Sequence, residues 1–187
     1  MGRLADPRVR FRLIKYALYA LLAFNVYLFV AVEGSLYEAL DSFGWLMLLG
    51  VFEWESTHLE EPVWPARERA LLLATNLVAY AIILSAWWGY ISTGEVLDAT
   101  NATLWLGVAG MLAHDVYATG NSGRREWRLR NSIKALLYGA LFAVALVWGI
   151  TGDWLDFYDA ALWLLCFFMV ELNIFRFETR GARNSPA

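Results

Sequence analysis

Long apolar runs separated by charged stretches set the strongest limit on what this chain can fold into. Residues 16–32, 70–91 and 135–150 carry no charge at all. Each approaches or exceeds the roughly 20 helical residues needed to cross a hydrocarbon core of about 30 Å. Three shorter runs, 43–52, 102–113 and 160–170, alternate with them. These cross a bilayer only if their polar flanks enter it. No period-2 alternation is sustained, so barrel strands do not fit. The expectation is an all-α, polytopic membrane protein with six transmembrane helices, forming a single membrane domain over residues 1–187. Composition agrees, with 59% hydrophobic and 18% charged residues against about 45–50% and about 25% in soluble domains.

The distribution of charge orients the spans. All 15 Lys and Arg lie before the first run, between the second and third, between the fourth and fifth, or after the sixth. The connections after the first, third and fifth runs have none. By the positive-inside rule both termini and the two basic loops are expected to be cytoplasmic, which requires an even number of crossings. No small-residue cleavage site follows the first run, so a retained span is expected there. Pro7, Pro62, Pro65 and Pro186 all fall outside the runs, leaving the spans without proline kinks.

The chain also repeats itself in helix pairs. Shifts of 60 and 118 residues bring Trp45 onto Trp105 and Trp163, and Gly34 onto Gly94 and Gly152. The same shifts bring Glu38 onto Asp98 and Asp156, and Asp41 onto Asn101 and Asp159. The repeats run over about 13–57, 70–117 and 133–175. Three pairs of one orientation predict a pseudo-threefold axis along the membrane normal. The glycines are expected as left-handed helix stops. Asp41, Asn101 and Asp159 are expected as N-caps, with the tryptophans near the outer interface.

Ionisable groups follow the shorter runs. Glu53 and Glu55 end the second segment, His114 and Asp115 the fourth, and Glu171 and Asn173 the sixth. Measured from a cap at Asp41, Glu53 lies about 18 Å down the helix. Carboxylates at such depth are costly and usually face a wet interior. They are expected to line a cytoplasm-facing vestibule that coordinates or relays a cation, with proton coupling through His114 an option. The competing expectation pairs them with Arg67, Arg69, Arg128 or Arg176 at the interface. Asn25 and Asn76 fit interhelical hydrogen bonding.

The two faces differ in sign. The outer face carries Glu33, Glu38, Asp41, Glu95, Asp98, Asp153, Asp156 and Asp159 without a basic residue, and Glu38, Asp98, Asp153 and Asp156 are expected to form an acidic funnel that would concentrate cations. On the other side Arg124, Arg125, Arg128 and Arg130, interleaved with Trp127 and Leu129, fit contact with anionic lipid headgroups. A net charge of −3 and the membrane setting argue against nucleic acid. No phosphate loop, nucleophile elbow or His-Glu-x-x-His pair occurs, so no cofactor is implied, a metal ligand set is undefined and an enzyme is the least favoured class. Two functions follow. One is a small cation channel or transporter; the other is a scaffold or accessory subunit packing on a membrane protein partner or on a second copy.

Overall fold

A computed structural model describes residues 7–57, 65–117 and 124–184, with side chains described over 9–55, 65–114 and 125–169. Six α-helices make up the described chain: α1 Pro7–Leu28, α2 Leu36–Thr57, α3 Ala66–Thr93, α4 Val96–Tyr117, α5 Arg124–Thr151 and α6 Trp154–Asn184. A π-helical turn, Phe29–Glu33, extends α1. Four stretches are long and apolar enough to cross a membrane: Val9–Glu33, Ala66–Thr93, Val96–His114 and Arg125–Thr151. The chain therefore has the helices of a membrane protein. Helix α2 has 22 residues, a length sufficient to cross, but carries Glu38, Asp41, Glu53 and Glu55.

The turns are made by the expected glycines. Gly34, Gly94 and Gly152 have φ of 67°, 82° and 100°, and among the described residues only glycines have positive φ. A side chain in this region costs roughly 1–2 kcal/mol. At each of these helix ends one freed carbonyl accepts two backbone N–H groups. Gly94 and Glu95 both donate backbone N–H to the Tyr90 carbonyl at 3.0 Å, and Gly152 and Asp153 do the same to Trp148. At the first turn Gly34 and Ser35 both donate to Phe29, one residue further back, which closes the π turn.

The next helix begins two residues after each of these glycines. This corrects the expected caps: Asp41, Asn101 and Asp159 sit inside α2, α4 and α6, five residues past their first residues. Ser35 takes the capping position of α2, its Oγ accepting the Glu38 N–H at 3.5 Å. Ser35 and Glu38 have the spacing of a capping box. Glu95 and Asp153 hold the equivalent places, their carbonyls accepting from Ala99 and Phe157. The short apolar runs are thus the middles of full-length helices.

The packing divides into two compact units, Leu22–Ala140 and Met1–Leu21 with Leu141–Ala187. In the first, α2 and α3 come together through glycine. A Cβ on Gly44 would lie 2.7 Å from Ile83 Cγ1 and 3.2 Å from the Ala79 carbonyl oxygen. A Cβ on Gly89 would meet the Tyr37 ring at 2.6 Å. Small residues at such crossings allow close backbone approach. Ala86, Tyr90 and Ala102 continue the core between α3 and α4. In the second unit the α5–α6 turn closes on itself, with Phe157 against Gly149 and edge-on to Trp154.

Gly44 and Gly50 separate packing from helix propensity. Gly44→Ala must push α2 off α3 and is expected to cost about 1–3 kcal/mol. A Cβ on Gly50 would have nothing within 4 Å, so Gly50→Ala should be neutral or gain up to about 1 kcal/mol. Unfolding by SDS titration from mixed micelles measures both.

Candidate functional site

The tryptophans expected at the outer interface belong to the core. Trp45, Trp105 and Trp163 are only 6%, 4% and 5% exposed. Each lies nine residues into its helix, about two and a half turns, because the helices start earlier than the sequence suggests. The rings of Trp45 and Trp105 stand 6.1 Å apart. The Trp45 indole donates Nε1–H to Asp41 Oδ1 at 3.1 Å, so Asp41 acts as the polar partner of a buried ring. The acid-to-Trp spacing of four residues, on one helix face, is the signal that could have found this pair. Trp87 makes a second such link, donating to Thr103 Oγ1 at 2.9 Å, which passes from α3 to α4.

The residues expected to line the inner vestibule separate by position. Glu53 is half-buried and Glu55 exposed, near the end of α2. Two residues along a helix turn the chain by about 200°, so these carboxylates leave α2 on opposite flanks. One cavity wall formed by α2 can take only one of them at close range, and Glu53 is the more enclosed. His114 is exposed in the last turn of α4. The side chains of Asp115, Glu171 and Asn173 lie outside the described residues.

The acids expected as an outer funnel have local structural partners. Glu38, Asp98 and Asp156 occupy the first turns of α2, α4 and α6. Negative charge there complements the helix dipole by roughly 0.3–1 kcal/mol at an exposed site. Asp153 Oδ2 accepts from Thr151 Oγ1 at 2.7 Å. At the first turn, carboxylate oxygens of Glu33 and Glu38 lie within 4.8 Å of one another. Two carboxylates that close repel, and a cation between them relieves the repulsion. Residues 33 and 38 flank Gly34, so the left-handed turn is what brings them together.

The basic segment lies in the first turns of α5. Arg125 and Arg128 are exposed and Arg130 is half-buried, while the Arg124 side chain lies outside the described residues. Asn25 is fully buried near the end of α1.

Comparison of the chain with protein-family models, with curated proteins and with solved structures gives no match.

The Asp41–Trp45 contact makes a separable prediction. Trp45→Phe keeps the ring but removes an N–H from a buried carboxylate, and should cost about 1–3 kcal/mol. Trp87→Phe removes a bond at an exposed position and should cost less, about 0.5–1.5 kcal/mol. Thermal unfolding in micelles, followed by circular dichroism, ranks the two.

Proposed function

We propose that the chain is a six-span membrane protein, with both termini cytoplasmic, that passes cations between an acidic outer surface and Glu53. The six spans form three repeated helix pairs about a pseudo-threefold axis. In support of the repeat, each odd helix ends on a left-handed glycine, each even helix starts two residues later, and a buried tryptophan follows nine residues into it. The observation that carries the cation assignment is the approach of Glu33 and Glu38 to within 4.8 Å at a turn whose sequence has no Lys or Arg. Acids at the other two such turns extend the same field. Glu53, with His114 and Asp115 near the end of α4 and Glu171 and Asn173 further along α6, would form the inner part of the route.

A second function, a non-transporting scaffold or accessory subunit, draws on different features. Glu55 and His114 are exposed rather than enclosed, and Trp88 and Trp154 present large rings outward. Such rings suit either lipid or a protein partner.

Topology is tested by cysteines introduced at Glu95 and Arg125 in sealed vesicles, where buried Cys166 does not compete. Opposite-side labelling is expected; labelling of both from one side excludes the proposed topology.

Function is tested by cation flux in liposomes with thermal stability read on the same samples. Glu38→Gln and Glu53→Gln should each lower flux at least about tenfold if they remove a charge worth about 1.4 kcal/mol or more to the passing ion. Stability should change little. Flux absent from the wild type, or unchanged in both variants, favours the scaffold.

A further inference from the structure

Helix α5 is longer than a span needs. Its 28 residues reach about 42 Å, against about 30 Å of hydrocarbon. The surplus falls at its basic end, since residues 135–150 are uncharged while 124–134 hold five basic residues and one acid. Along this helix positions 125, 129, 132 and 136 share a face, at the spacing i, i+4, i+7, i+11. All four are exposed: Arg125, Leu129 at 60%, Ser132 and Leu136 at 74%. Ile133 is exposed beside Leu129 and Leu136, and Arg128 is exposed on the flank of Arg125. Glu126 leaves the helix about 160° away from Arg128, so the acid does not screen the Arg128 side. One face therefore changes from apolar to doubly cationic within about 16 Å.

We infer that this face of α5 seats an anionic phospholipid, with Arg125 and Arg128 on the phosphate and an acyl chain along Leu129, Ile133 and Leu136. Guanidinium forks match phosphate oxygens in geometry as well as charge. Exposed Trp127 stands at the same level, where an amphipathic ring settles among headgroups. A free phosphate would meet the same two arginines but leave the leucine face uncovered, which is why the lipid is the better occupant. The inference rests on α5 being a membrane span.

The test uses the full chain purified in a neutral detergent. It is titrated separately with phosphatidylglycerol, phosphatidylcholine and inorganic phosphate, and bound molecules are counted by native mass spectrometry. Wild type should bind phosphatidylglycerol about tenfold or more tighter than phosphatidylcholine. The double variant R125Q/R128Q should lose that preference and keep its phosphatidylcholine binding, while R125K/R128K should retain a reduced preference. Equal binding of the two lipids by wild type, an undiminished preference in R125Q/R128Q, or phosphate binding as tight as that of the anionic lipid overturns the inference. Alkaline carbonate extraction of the source membranes separates the two levels. A chain released by carbonate defeats the membrane reading itself; a chain that stays embedded yet shows no lipid preference defeats only the lipid seat.

Discussion

A backbone that enters hydrocarbon must satisfy its own hydrogen bonds, and that requirement dictates where this chain turns. Helices are the only described elements, and three of their connections are reduced to two residues. So short a reversal leaves carbonyls at the end of one helix and N–H groups at the start of the next. The left-handed glycine solves the first problem by aiming two successive N–H groups back at a single carbonyl. Ser35 answers part of the second, through its Oγ at the start of α2. Acidic residues in the next turn then favour the exposed helix dipole. The acidity of these turns has a folding cause before it has any functional one.

The same requirement explains α2. Hydrocarbon alone would not select a helix with four carboxylates. Gly44 and Gly89 let α2 and α3 approach closely, and the buried Trp45 gives Asp41 a hydrogen-bond donor. In a bilayer-crossing α2, as proposed, this packing on α3 and the Asp41–Trp45 bond would offset part of the cost of its polarity. Glu53 is the more enclosed of the two acids near the far end of α2, which makes it the inner residue of most interest.

Legibility followed the range of the interaction. The glycine stops could be read because positive φ at a helix end leaves a residue type in the sequence. The helix starts lie six residues earlier than caps at Asp41, Asn101 and Asp159 would put them. Asp41, Asn101 and Asp159 are good caps in isolation, but Ser35 and Glu38 together, spaced as a capping box, outrank Asp41. The tryptophans shift for the same reason: a helix start placed six residues too late puts core rings at the interface. The π turn at Phe29–Glu33 leaves no local signal, since its extra residue reflects how the turn closes. For the site, the acids could be found as residue types, but which of them are enclosed depends on packing. Glu53 and Glu55 look equivalent in the sequence and differ on the helix.

The six-span protein requires α2 to cross the bilayer. Leu36, Phe43, Gly50 and Trp54 are exposed along this helix and span about 27 Å of its length. Spin labels at these four positions in reconstituted bilayers report depth through their collisions with oxygen and with a water-soluble nickel chelate. A crossing helix should give oxygen accessibility that peaks at 43 and 50, where the chelate is excluded, with the chelate reaching 36 and 54. Equal access of the chelate to all four positions would place α2 in water and contradict the six-span protein.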